Sequence, residues 1–244
     1  MGKILKELSG HSGSKIYLMQ DEERLFVRKI NNVERNYERM TALGGHYRVP
    51  IIYNYDGTIL DMEYIRGLDM RNYLIHNNVG PLINFICDSI DEFSNDSEYK
   101  DYTEIYHNKL SYLTDKEGLI FKKEQLIESL PKKLPQSTYH GDMTLENIIY
   151  SNGNFTFIDP LTSDYDSYIF DIAKLRQDLE CKWFIRKMNV NIDTKLQRIQ
   201  DKLRRWYPDA FNNSILILML LRVYPYCDEQ DKQFIIKEAN RLWK

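Results

Sequence analysis

Two carboxylates and an amide fall close together near the middle of the chain. They lie in Tyr139-His140-Gly141-Asp142-Met143-Thr144-Leu145-Glu146-Asn147-Ile148-Ile149-Tyr150 and in its continuation Phe157-Ile158-Asp159-Pro160. Asp142 and Asn147 occupy a polar loop between apolar, strand-like segments. A turn at 151–154 brings the end of the next segment, Asp159, back beside them. Oxygen ligands of this kind suit Mg²⁺, which keeps several waters and takes further ligands from phosphates. One of the carboxylates can instead face an acceptor hydroxyl and take its proton.

The elements that must position this loop fall into a strand-rich first part and a helical remainder. Apolar runs at 4–8, 15–19 and 24–30, separated by the Gly/Ser cluster at 9–14 and a polar turn at 20–23, predict a hairpin and a third strand. Asn31 or Asn32 can cap a helix running to Leu43, where Gly44-Gly45 stops it. Asp56-Gly57 between runs at 51–55 and 58–65 is a hairpin signal. After Gly67 the spacing becomes helical, with helices expected near 69–77, 80–94, 101–115 and 122–130. A composition break at 131–136 precedes short strands at 138–140, 148–150 and 155–158, and the chain reads as helical from 169 onward.

Composition narrows the partners. The 244 residues carry 33 Lys plus Arg against 36 Asp plus Glu, a formal net charge of −3, which gives no reason to expect a nucleic-acid partner. Lys202, Arg204 and Arg205 are either a local basic patch or a solvated helix face, the latter being preferred. Cys87, Cys181 and Cys227 form no C-x-x-C pair, and so sparse, odd a count suits a reducing cytoplasm better than a disulfide framework. The longest apolar run, 215–221, is far short of the roughly 20 residues that span a bilayer and reads as a buried core helix.

The H-G-D-x-x-x-x-N motif at 140–147, with Ile158-Asp159 about a dozen residues later, resembles the aminoglycoside phosphotransferase and choline kinase-like family. The resemblance implies an α+β, bilobal protein kinase-like fold. Its small N-lobe would be an antiparallel sheet with one main helix, spanning residues 1–65. Its larger, mostly helical C-lobe would span 66–244 and hold the catalytic loop and acceptor site. It also implies an ATP- and Mg²⁺-dependent transfer of a phosphate to a small-molecule hydroxyl. Asp142 would orient or deprotonate the acceptor, and Asn147 and Asp159 would hold magnesium. His140 and Gly141 would fix the loop.

Other positions follow from the same likeness. Strand alternation puts Lys29 on the same side as Val27 and Arg28 on the other. Lys29 would pair with the ATP phosphates and needs an acidic partner. Glu34 and Glu38 share one helical face, and Glu38 is preferred because Glu34 falls in the first turn. The loop at 10–14, with Ser12 and Gly13 at its tip, resembles the family's phosphate-covering hairpin. Glu63 and Ile65 lie in a hinge-like segment whose backbone would bond the adenine edge. Asp171, opening Asp171-Ile172-Ala173-Lys174-Leu175, reads as a structural anchor or a helix N-cap.

Two departures from protein kinases point to a small acceptor. Thr144 stands where those enzymes usually carry a lysine, and only a short segment separates Asp159 from Asp171. The acceptor would be a sugar, sugar alcohol or amino alcohol, in keeping with a similarity to kinase-like proteins of bacterial capsule and surface-sugar synthesis. The alternatives are an aminoglycoside-modifying resistance kinase, which needs an acidic acceptor pocket, and a catalytically silent nucleotide-binding regulator. Asp164 and Asp166 are either amine ligands or solvated loop residues. Arg222 and Tyr224 read as core-edge packing residues or as contacts to an anionic acceptor, packing being preferred. Pro160 stiffens the Asp159 loop and should keep that aspartate turned in.

Overall fold

The computed structural model describes residues 2–8, 14–22, 24–44, 48–95, 98–114 and 118–244. In chain order its elements are β1 (Lys3–Leu8), β2 (Lys15–Gln20), β3 (Leu25–Ile30), α1 (Glu34–Leu43), β4 (Ile52–Tyr55), β5 (Ile59–Glu63), β6 (Leu68–Asp69), α2 (Met70–His76) and α3 (Gly80–Phe93). There follow β7 (Glu98–Asp101), α4 (Thr103–Lys109), α5 (Lys123–Ser129), β8 (Lys133–Gln136), β9 (Ile148–Ser151) and β10 (Asn154–Phe157). The last are α6 (Tyr168–Cys181), α7 (Asp193–Trp206), α8 (Asn213–Val223) and α9 (Glu229–Trp243). They form two compact units, one made of 1–77 with 140–163 and the other of 78–139 with 164–244.

The first unit holds a five-stranded antiparallel sheet in the order β1-β2-β3-β5-β4. Asp56-Gly57 makes the β4–β5 turn as its sequence requires. Gly57 takes φ 93°, and the Asp56 carboxylate accepts from the Thr58 and Ile59 amides at 2.9 and 2.7 Å. These donors hold the Asp56 carboxyl below the usual carboxylate range.

Helix α1 buries Val33 and Met40 against Leu60 of β5, and the rings of Tyr37 and Tyr55 stack at 3.7 Å beside them. The expected asparagine cap is corrected here. Asn31 and Asn32 take φ 65° and 53°, a region that asparagine tolerates better than most residues, and they turn the chain off β3. Val33 occupies the N-cap position with no side-chain hydrogen bond.

A second, three-stranded sheet of the same unit, in the order β10-β9-β6, carries the central loop. Asn152 and Gly153 turn β9 into β10 with φ 49° and 84°, the positive pair that a tight hairpin demands. β6 pairs with β9, Leu68 opposite Tyr150. Gly67 allows this approach: a Cβ there would lie 2.3 Å from the Tyr150 carbonyl oxygen.

The second unit is built around α6 and α8. The run 215–221 is buried at every position, as its unbroken apolar character predicts. Arg176 is buried in α6, where it bonds the Glu180 carboxylate at 2.5 Å and the Asn212 carbonyl at 2.9 Å. Two sequence expectations fail here. The composition break at 131–136 contains a strand, β8, paired with β7, and 138–140 is not a strand. Pro135 is tolerated because, among the described residues, this sheet has two strands, both of them edges. No helix among the described residues is long and apolar enough to cross a membrane. Cys87 and Cys181 are buried free thiols, pushed up to about 11 and about 12 by desolvation.

Candidate active site

Alternation along β3 sends adjacent side chains to opposite faces, and the two basic residues at its end separate accordingly. Arg28 forms a two-pronged pair with Asp61 of β5, both contacts 2.7 Å. Lys29 is 2% exposed on the face that α1 covers. Its ammonium donates to Asn36 Oδ1 at 2.9 Å and to Asp159 Oδ1 at 2.7 Å, across 130 residues of sequence.

The structure does not bring Glu38 to Lys29. The buried side of α1 is set by Asn36, Met40 and Leu43, and Glu34 and Glu38 both fall on the exposed side. Asn36 takes the place expected of an acid. Helical spacing held the signal: Val33, Met40 and Leu43 mark one face at i, i+7 and i+10, and i+3 is Asn36.

Asp159 takes φ 55°, an uncommon backbone for a residue with a side chain, and its carboxylate is turned in. Asn36 Nδ2 donates to Asp159 Oδ1 and to the Pro160 carbonyl, both at 2.8 Å. Arg35 donates from its guanidinium to the Thr162 carbonyl, and the Thr162 amide returns a bond to the Arg35 carbonyl at 3.0 Å. The segment after β10 is thereby fastened to α1 at two points.

The loop before β9 is held from within. Gly141 takes φ 88°, which lets the chain reverse between His140 and Asp142. His140 is fully buried against Phe157, its Nδ1 accepts the Asp142 amide at 3.3 Å, and its carbonyl accepts from the Leu161 amide. An imidazole accepting at Nδ1 must be neutral. Burial enforces this, pushing His140 down to about 4 against the opposing pull of the Asp142 and Asp159 charges. Asn147 Nδ2 donates to the Asp142 carbonyl at 2.9 Å and to Asp142 Oδ2 at 3.2 Å. That directs the acceptor end of the amide away from Asp142, and both side chains are half-buried. Arg71 of α2 pairs with Glu146 beside them.

These donors fit a magnesium ion. Toward a metal, the loop and the end of β10 offer the carboxylate of Asp159, with Oδ1 engaged and its side chain 45% exposed, and the amide oxygen of Asn147. No group of three or more His, Cys, Asp or Glu among the described residues forms a complete protein cage. A hard cation that takes its remaining ligands from phosphate and water suits so partial a set.

Glu63 ends β5, its amide bonded to the Ile51 carbonyl at 2.8 Å, and 64–66 leave the sheet as an extended link to β6. Among the described residues, Ile65 makes no hydrogen bond to another backbone group outside the sheets and helices. Ser12 and Gly13 lie outside the described residues.

Asp171 is buried in the first turn of α6, but it is not the cap. Ser167 is, accepting from the Ile169 amide. Asp166 is neither solvated nor available to an amine: Lys100, Tyr102 and Gln136 all donate to it, at 2.6–3.0 Å. Tyr165 is buried against Phe170, with the Arg222 guanidinium 5.3 Å from its ring centre.

No protein-family model and no curated sequence matches the chain. Solved structures do. A thermostable mutant of aminoglycoside phosphotransferase APH(4)-Ia matches with TM-score 0.69 and 10% identity, over 99% of this chain and 94% of the other. The same protein has been solved in a ternary complex with AMP-PNP and hygromycin B. A protein assigned as a fructosamine-3-kinase of Haemophilus somnus matches with TM-score 0.60 and 15% identity, over 100% and 92%. An ethanolamine kinase of Plasmodium vivax matches with TM-score 0.57 and 11% identity, over 100% and 81%. The antiparallel sheet at the start of the chain and the helices that follow thus make a protein kinase-like fold, of the form these small-molecule kinases share.

Proposed function

We propose that the protein is an ATP- and Mg²⁺-dependent phosphotransferase that moves the γ-phosphate onto a hydroxyl of a small molecule. One observation carries the reading: Lys29 and Asp159, 130 residues apart, meet at 2.7 Å in the unit that also holds Asp142 and Asn147. A buried cation, a carboxylate beside it and a second, half-buried carboxylate are the parts that positioning and neutralising a phosphate chain require. Lys29 binds the phosphates, and the backbone at Glu63 and Ile65 receives the adenine edge. Asn147 and Asp159 would hold magnesium, which when bound neutralises charge on the phosphate oxygens.

Asp142 orients the acceptor hydroxyl and takes its proton as the oxygen attacks the γ-phosphorus. The bond from that phosphorus to the bridging oxygen breaks, and ADP leaves with the electron pair. His140 and Asn147 hold Asp142 by its amide, carbonyl and carboxylate, so it meets the acceptor already oriented.

The engagement of Asp166 by Lys100, Tyr102 and Gln136 removes one of the two carboxylates that could have received a cationic amine. It favours a neutral sugar or sugar alcohol over an aminoglycoside or amino alcohol. Incubating the protein with a metabolite extract and γ-labelled ATP, then identifying the labelled product by mass, tests both reaction and acceptor. Asp142→Asn should lower transfer by about three orders of magnitude while ATP binding persists. Wild-type turnover in that variant would remove Asp142 from the chemistry.

A further inference from the structure

We infer that Asn36 is a positioning residue that sets the metal-binding geometry of Asp159, and that an amide, not an acid, is required there. The inference rests on the phosphotransferase reading and concerns a residue that reading does not use. Asn36 is 2% exposed and spends both ends of its side chain on the site. Its oxygen accepts from Lys29, and its nitrogen donates to Asp159 Oδ1 and the Pro160 carbonyl. Asp159 Oδ1 therefore collects two donors, Lys29 and Asn36.

A carboxylate could satisfy Lys29 but could donate to neither of the other partners. At position 36 it would set oxygen against oxygen twice, at sites now 2.8 Å apart, with its own side chain buried away from water. It would also add a second negative charge beside Asp159. The carboxylate of Asp159, held by the amide in an uncommon backbone conformation, would be pushed out of position. Arg35, bonded to Thr162 one helical position away, anchors the same segment, so the fold does not rest on Asn36 alone. The residue at 36 thus separates two tasks. Either an amide or an acid can steady Lys29; only the amide can also steady Asp159.

The test uses the full-length protein and Mn²⁺, a spin probe for the magnesium site. Free Mn²⁺ is followed by electron paramagnetic resonance in the presence of ADP, and nucleotide binding is measured separately in EDTA. Asn36→Asp should weaken Mn²⁺ binding about ten- to hundredfold, the worth of a hydrogen bond to a charged group. It should leave metal-free ADP affinity within about threefold, because Lys29 keeps a partner. Asn36→Ala, which removes the donors without adding charge, should weaken Mn²⁺ less than the aspartate does, and it carries the test if the aspartate variant does not fold. A folded Asn36→Asp protein that binds Mn²⁺ like wild type, or one that loses ADP in EDTA as severely as it loses Mn²⁺, overturns the inference and leaves the phosphotransferase reading intact. Wild-type protein that binds neither ADP nor Mn²⁺ overturns both.

Discussion

Two neighbouring residues of one strand, Arg28 and Lys29, each reach an aspartate at 2.7 Å, yet the two pairs are built for different ends. Arg28 uses two prongs of its guanidinium on both oxygens of Asp61, its partner directly across the strand pair. Both oxygens of the carboxylate are engaged, and the ion pair is complete in itself. Lys29 is a point charge on a flexible stem, bound to a single oxygen of Asp159. The forked pair closes a sheet. The single-pointed one leaves Asp159 an oxygen to spend and leaves Lys29 able to change partners. Sequence position places both cations, but only their chemistry and their faces separate the one we assign to a ligand from the one that serves the sheet.

The comparison can be broken most severely on the inner face. Lys29→Met should lower phosphotransfer by roughly 10²–10³-fold, the cost of losing a preorganised charge at the reacting group. Equilibrium nucleotide binding should weaken with it, while the sheet, closed by Arg28, stays folded. A fully active Lys29→Met protein would equate the two faces.

The next effect is a pH dependence at the loop that carries Asp142. The His140 imidazole sits at about 4 in the folded protein against an ordinary 6.5, so the unfolded chain binds the extra proton first. Its contribution is therefore complete above about pH 6.5 and is lost as pH falls toward 4, on the order of 3 kcal/mol in all. Urea unfolding across that range should show this slope in wild type and not in His140→Asn, whose Oδ1 stands where Nδ1 accepts the Asp142 amide. Equal slopes would mean that other groups carry the acid sensitivity.

The smallest effect belongs to the outer face. Arg28→Met should cost about 1–2 kcal/mol of stability, since one partner of the pair is only part-buried, and should leave nucleotide affinity unchanged. A chemical melt and a nucleotide titration on the same preparation check this together. Loss of nucleotide affinity without loss of stability would reverse the roles assigned to the two cations.

What could be read from the chain beforehand was local. The alternation that separates Arg28 from Lys29, the Asp56-Gly57 and Asn152-Gly153 turns and the apolar run of α8 each depend on neighbours in sequence. The spacing of His140, Asp142, Asn147 and Asp159 was legible for the same reason. Asn36 is hidden in the sequence because a buried lysine predicts an acid as its partner, and because Asn31 and Asn32, which turn the chain, imitate a helix cap. β8 was missed because its partner β7 lies far back in the sequence and because Pro135 argues against a strand unless both strands are edges. Asp166 could not be read at all: its three donors come from segments well before it, and nothing in the residues beside it announces them.

The first unit is not continuous in sequence: about sixty residues, 78–139, are threaded between its two parts. A ribosome that has made β5 and β6 has made a sheet whose buried Lys29 still lacks Asp159, and β6 has no β9 to lie against. Closing so long an excursion is an entropic cost met late, when the hairpin of β9 and β10 arrives. The meeting of Lys29 with Asp159, on which the proposed nucleotide site depends, is therefore among the last parts of this unit to be completed during synthesis. A chain that stops short of residue 159 leaves Lys29 with Asn36 but without its carboxylate partner.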